Sequence, residues 1–242
     1  MCTTWRSGST FLGDAVRTVA DLDLSRERFY LNPQQASLGA VLRGRGLLAF
    51  LDHLIDGEAN RQGIFGTKVM WADFLPVLRR LRRIPDFRGG SDLDILRSVF
   101  PAPTFLFLTR TDKLRQAISF YRAAGSRVWH RDDRGHLYVT PRPARIEPGY
   151  DRPALEAALE RIRRSEQAWR GFFRSNAIEP LHLTYEEVCT SLPDAVGRVL
   201  ERLGLAGSRE RLDGVRSKYV KIADAKTDAW VERFRGDRGE ER

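Results

Sequence analysis

Met1-Cys-Thr-Thr-Trp5-Arg6-Ser-Gly-Ser-Thr10 is the stretch that decides the fold. Its first five residues read as the tail of a strand, and the small residues after Arg6 open at once onto an apolar run. The first N–H groups of a helix have no intrahelical partner and carry the positive end of its dipole. Gly8 lets an anion approach the main chain, and Ser7, Ser9 and Thr10 add hydroxyl donors. On these residues alone two readings stay open, a phosphate cradle and an ordinary capped strand-to-helix turn. G-x-x-x-x-G-K-[ST] is absent, so no Lys stands beside a magnesium-binding hydroxyl and a standard P-loop NTPase is disfavoured. Arg6, at the mouth of the loop, offers a fixed guanidinium suited to a crowded anion such as a phosphosulfate.

Outward from this loop, apolar residues at Phe11, Leu12, Ala15, Val16 and Val19 predict a helix from Thr10 to about Val19. Residues 20 to 38 carry loop chemistry with an aromatic insert, Phe29-Tyr30, and a helix from Leu38 to about Ile55 follows. Gly63 to Trp71 reads as a second buried strand carrying Lys68, and Thr104 to Thr109 as a third, with short helices over Phe74–Arg83 and Asp92–Phe100 between them. Arg110 stands just after the third strand, and Thr111-Asp112 opens a helix with Leu114, Ala117, Ile118 and Tyr121 on its apolar face. Residues 130 to 153, rich in Arg, Pro, Gly and Asp and including Thr140-Pro-Arg-Pro143, read as a long exposed segment, either a lid or a connector. Then come a periodic helix from Pro153 to Ser175, a fourth strand from Pro180 to Tyr185, a helix from Leu192 to Leu203 and a charged, helical C-terminus. Strands alternating with helices predict an α/β fold, a central mostly parallel sheet flanked by helices, with Arg110 at the same carboxyl edge as the Arg6 loop.

The 242 residues, 42% of them hydrophobic, suffice for one good core, and no repeat or low-complexity linker divides the chain, so residues 1–242 are expected to form a single domain. The net charge of +9 is carried almost entirely by arginine, the only lysines being Lys68, Lys113, Lys218, Lys221 and Lys226. With no long basic run and no RNA-binding signature, nucleic acid is not an expected partner. Cys2 and Cys189 are the only cysteines, so neither a disulfide framework nor a C-x-x-C metal pair is available and no metal is expected. No window approaches the ~20 apolar residues of a membrane span, and no basic n-region precedes an apolar stretch, so a cytoplasmic protein is expected.

Four separated segments, in order, resemble one family. They are Arg6-Ser-Gly-Ser-Thr10; Phe65-Gly-Thr-Lys-Val-Met-Trp71; Leu108-Thr-Arg-Thr-Asp-Lys-Leu-Arg-Gln-Ala-Ile-Ser-Phe-Tyr-Arg122 with Trp129; and Ala223-Asp-Ala-Lys-Thr-Asp-Ala-Trp230. Together with Glu166-Gln-Ala-Trp169 and Tyr185-Glu186 they are similar to the bacterial PAPS-dependent carbohydrate sulfotransferases of the trehalose 2-sulfotransferase type. The resemblance spans nearly the whole chain and implies a P-loop-like sulfotransferase fold, PAPS as sulfuryl donor, a sugar or glycolipid acceptor and a homodimer.

The resemblance places the 5′-phosphosulfate on Arg6, Ser7, Gly8, Ser9 and Thr10, and the 3′-phosphate on Arg110 and Ser119. It implies Glu27, seventeen residues past Thr10, as general base, a carboxylate able to take a hydroxyl proton as the oxygen attacks sulfur. Arg6 would stabilise charge growing on the leaving phosphate oxygen, and Lys226 and Thr227 are hinted to close over the nucleotide. Departures cluster around the base. Ala20-Asp-Leu-Asp-Leu-Ser-Arg26 replaces a Gly/Pro segment, Arg28 stands before Phe29-Tyr30, and Trp5 replaces Pro or Gln, with an aromatic face for a sugar ring or for packing. Trp5, Glu27, Arg28, Phe29 and Lys68 are accordingly the expected acceptor-side residues, with His130 a further candidate. The rival classes are a phosphoryl-transfer enzyme, which needs the missing P-loop Lys, and a noncatalytic nucleotide- or anion-binding protein.

Overall fold

The computed structural model describes residues 1–29, 45–139, 146–205, 212–220, 222 and 224–237. In chain order the elements are β1 (Cys2–Thr3), α1 (Ser9–Ala20), α2 (Arg45–Glu58), β2 (Val69–Met70), α3 (Trp71–Leu81), α4 (Asp92–Val99), β3 (Leu106–Thr109) and α5 (Lys113–Ser126). They continue with β4 (Val128–Arg131), β5 (Leu137–Val139), α6 (Arg152–Ser175), β6 (Leu181–Thr184), α7 (Tyr185–Thr190), α8 (Leu192–Arg202) and α9 (Ala225–Gly236). Four strands form a wholly parallel sheet in the order β2-β1-β3-β6.

Both faces of this sheet are covered, and strand β3 shows why. Phe107 points into a core built with Leu51, Phe74, Leu81 and Trp169, from α2, α3 and α6. Its neighbours Leu106 and Leu108 point the other way, onto Leu12, Val16, Val196 and Val199 of α1 and α8. Period-2 alternation with apolar residues on both sides is what a sheet sandwiched between helices requires. Trp169, fully buried, also donates its indole N–H to the Thr3 carbonyl oxygen at 3.1 Å, tying α6 to β1. The α/β architecture with a central parallel sheet is as the sequence predicts.

Several local expectations are revised. The strand expected over Gly63–Trp71 is only Val69–Met70, because β1 offers just Cys2 and Thr3 for pairing, and Trp71 already opens α3. The segment expected as an exposed lid or connector from residue 130 contains an antiparallel hairpin, β4 with β5. Its turn is held by Asp132, whose carboxylate accepts the N–H of Arg134 at 3.1 Å and of His136 at 2.8 Å. Tyr185, expected to end a strand, starts α7 under a Thr184–Glu187 capping box. The expected helix from Leu38 is seen from Arg45. Its earlier part, Tyr30 and Thr140-Pro-Arg-Pro143 lie outside the described residues.

The chain steps from β1 to β2 on one side and then to β3 on the other, so the crevice between the carboxyl ends of β1 and β3 is the sheet's switch point. Open parallel sheets bind ligands there, since the following loops diverge and leave room. The loops after β1 and β3 carry Arg6 and Arg110.

Candidate functional site

Arg6 and Gly8 both adopt left-handed backbone angles, φ 62° and 84°. Gly8 is required twice over. A Cβ there would be strained by φ and would lie 2.4 Å from Cδ2 of Tyr185, which packs against the loop. Arg6 is held in its unusual conformation by its own side chain, whose Nε donates to Ser119 Oγ at 2.9 Å and whose Nη1 donates to the Trp129 carbonyl oxygen. Gln116, fully buried on α5, fixes the same loop through Thr4 Oγ1 at 2.8 Å and the Trp5 carbonyl at 2.7 Å. The Ser7 hydroxyl is engaged with Thr3 Oγ1.

α1 begins with no side-chain cap. Helices α4 to α9 each carry one, from Ser91, Asp112, Asp151, Thr184, Ser191 and Asp224. The donors at the start of α1 are therefore left for another acceptor. Arg110, at the end of β3, is 9% exposed, stacks 4.6 Å above the Tyr185 ring, and has an Nε with no hydrogen-bond partner among the described residues. Its turn is anchored by Glu186, which accepts the N–H groups of Thr111 at 2.9 Å and Asp112 at 3.2 Å. No described carboxylate pairs with Arg6 or Arg110. Burial, then the charge of Arg110, pulls the Arg6 pKa down to about 10. Two guanidiniums drawn out of water beside an uncapped helix start form a site suited to negative charge.

From Thr10 a polar chain runs sideways. Thr10 Oγ1 accepts from Lys68 Nζ at 3.0 Å, and the same ammonium pairs with Glu27 Oε1 at 3.0 Å. His130 Nε2 lies 3.3 Å from Thr10 Oγ1. Burial, then Arg6 and Lys68, drives the His130 pKa down to about 3, so the imidazole is neutral near pH 7. Glu27 is presented by a pinned loop. Leu22 and Leu24 are buried, the Arg26 carbonyl accepts from Lys68 N at 2.9 Å, and Arg28 N donates to Thr67 Oγ1 at 3.2 Å. Gly13 allows this loop to run against α1, since a Cβ there would come within 2.5 Å of Ser25 N. Asp73, in the first turn of α3, feels both burial and Glu27, which raise its pKa to about 6.

The structure thus brings Arg6, Ser7, Gly8, Ser9, Thr10, Arg110, Ser119, Lys68, Glu27 and His130 to one edge. Five expected residues are engaged in other contacts. Arg28 forms a two-pronged pair with Glu58 on α2. Phe29 is buried 5.9 Å from Phe100. Lys226 pairs with Glu147 at 3.3 Å and lies 5.4 Å from the Trp230 ring. Trp5 sits beside the loop, where Arg161 covers its ring at 4.5 Å and Phe120 packs at 5.3 Å. Thr227 receives a hydrogen bond from Arg122 at 2.7 Å.

Sequence reasoning missed Asp14, Lys218 and Tyr219. Asp14 is 2% exposed, and Ser217 Oγ at 3.0 Å and Lys218 N at 2.9 Å both donate to its Oδ2. Its signal was a carboxylate one turn after Thr10 on the same helix face. Lys218 and Tyr219 lie in a charged stretch without periodicity. With Thr10, Lys68, Glu27 and His130 these three line a cavity of about 490 Å3. Among the described residues no group of three or more His, Cys, Asp or Glu could hold a metal ion, and no helix is long and apolar enough to cross a membrane.

A family model described as Stf0 sulphotransferase matches residues 1–237. A trehalose 2-sulfotransferase from Mycolicibacterium smegmatis is 30% identical over 257 residues, covering 96% of this chain and 92% of that protein. One from Mycobacterium tuberculosis is 26% identical over 259 residues, covering 97% of this chain and 92% of that protein. With a family match across almost the entire sequence, the chain belongs to the Stf0 sulphotransferase family.

Proposed function

We propose that this protein transfers the sulfuryl group of PAPS to a hydroxyl of a carbohydrate or glycolipid acceptor, with Glu27 as general base. The observation that carries the reading is the Glu27–Lys68–Thr10 chain, with 3.0 Å at each link, which joins a carboxylate to the uncapped start of α1 beside Arg6. PAPS supplies an activated sulfuryl group and a phosphate leaving group. The chain's own residues divide the remaining work. Arg6 and the N–H groups at the start of α1 would hold the phosphosulfate, and Arg110 with the Ser119 hydroxyl the 3′-phosphate. A half-buried Arg6, a buried Arg110 and the orphaned Nε of Arg110 suit an anion charged at both ends.

Glu27 would accept the acceptor's proton as its oxygen bonds to sulfur and the sulfur–oxygen bond to the phosphate breaks. Lys68 orients the carboxylate and would stabilise charge growing on the leaving oxygen. Neutral His130 offers Thr10 a hydrogen-bond partner without adding a further positive charge. Trehalose, named for both relatives, is the first acceptor to try. We include in the proposal a single domain, a homodimer, a cytoplasmic location and no need for metal or nucleic acid.

Glu27→Gln keeps the side chain's shape and removes the base. Transfer should fall by ~10²–10⁴-fold, the usual worth of general base catalysis, while calorimetric affinity for PAP, the desulfated product, stays within a factor of about three. Transfer at the wild-type rate in this variant would end the assignment of Glu27.

A further inference from the structure

The cavity beside Glu27 has a wall that none of the family motifs contains. Residues 217–220 run alongside the hairpin as an added edge. Asp133 N donates to the Lys218 carbonyl at 2.8 Å, Val220 N donates to the Arg131 carbonyl at 3.0 Å, and Asp132 bridges Tyr219 in antiparallel fashion. Asp14 clamps this edge from α1 through Ser217 and Lys218. Tyr219 then packs edge-on to His130 at 5.4 Å and to Tyr138 at 5.3 Å, and the Lys218 ammonium rests 5.4 Å and 5.1 Å from the Tyr138 and Tyr219 rings. The segment is thereby brought to the same cavity as Glu27 and Lys68.

The charge pattern of this cavity differs from that at the Arg6–Arg110 crevice. Here three of the four lining cations are matched, Arg17 with Asp14 at 2.8 Å, Arg26 with Asp23 at 2.9 Å and Lys68 with Glu27 at 3.0 Å, while Lys218 rests against the Tyr138 and Tyr219 rings. Paired charges present donors and acceptors side by side, which suits the alternating hydroxyls of a polyol. The size fits as well, since about 490 Å3 falls within the range of small-molecule pockets.

We propose that Lys218 and Tyr219, as the wall of this cavity beside Glu27, are specificity-determining residues for the sugar acceptor. The inference rests on the function proposed above and gives its acceptor a place. The attacking hydroxyl would lie at Glu27, with the rest of the sugar extending toward Tyr219, away from Trp5, Arg28 and Phe29.

The test uses the full chain with PAPS and three sugars, trehalose, glucose and N-acetylglucosamine, in the wild type, Lys218→Met and Tyr219→Ala. Loss of a hydrogen-bonding or packing contact should raise the acceptor KM about 10-fold and reorder the three sugars. The PAP affinity should stay within about twofold, as expected for separate subsites. Should Tyr219→Ala fail to fold, Lys218→Met, altered at an exposed side chain, carries the test. Unchanged acceptor KM and ranking in the folded variants would overturn the inference alone, as would PAP affinity falling in parallel with acceptor affinity. A wild type that neither binds PAP nor transfers sulfate would overturn the function as well.

Discussion

His130 shows how one residue's environment fixes its protonation at this site. Its ring is packed between Thr10 and Tyr219, and the neighbouring Arg6 and Lys68 oppose a third positive charge. The folded protein therefore takes up this proton near pH 3, whereas the unfolded chain takes it up near 6.5. Above pH 6.5 the group is neutral in both states and indifferent. Below 6.5 the unfolded state binds the extra proton, so stability falls with decreasing pH until the folded pKa is reached. His130→Gln, which keeps a polar partner for Thr10, is predicted to flatten the acid limb of stability between pH 6 and 4 by up to about one bound proton. Denaturant titrations across that range check it, and an unchanged slope would contradict the neutral, half-buried imidazole.

Among the elements, α6 carries the greatest packing responsibility. Trp169 touches Trp71, Phe74, Phe172 and Phe173 with ring centroids 4.9 to 6.0 Å apart and also bonds β1. Trp169→Ala should cost ~3–5 kcal/mol, the range for truncating a buried aromatic, measured as a shift in the urea midpoint. A loss below about 1 kcal/mol would mean that this core is not built around it. Elements like α6 were legible in the sequence because Leu155, Leu159, Ile162, Trp169 and Phe172 repeat on one face. The β4–β5 hairpin was not, since its residues are largely exposed and its turn depends on the Asp132 carboxylate rather than on a recognisable Asn-Gly pair. Helix α7 was hidden for another reason. Its capping box begins at Thr184, the last residue of β6, so strand and helix share one stretch of sequence. The anion loop was readable from its small residues, whereas the Asp14 clamp joins residues some 200 positions apart in sequence, and no local pattern records it.

At the scale of the whole molecule, the parallel sheet sets out two kinds of electrostatics along one edge. The switch point between β1 and β3 gathers unpaired cations, Arg6 and Arg110. The flank between α1, the Glu27 loop and the 217–220 edge gathers three paired ones and Lys218, held against Tyr138 and Tyr219. A nucleotide with charge at both ends fits the first and a sugar the second, with Thr10, Lys68 and Glu27 at their junction. The measurement that tests this account most directly is calorimetric titration of the metal-free protein with PAP and with AMP, in the wild type and in Arg110→Ala. The account predicts that PAP binds without magnesium and more tightly than AMP by about 10- to 100-fold, the worth of charge-assisted contacts to the 3′-phosphate. It also predicts that Arg110→Ala removes most of that difference. Equal affinity for PAP and AMP in the wild type, or no binding of PAP, would contradict it.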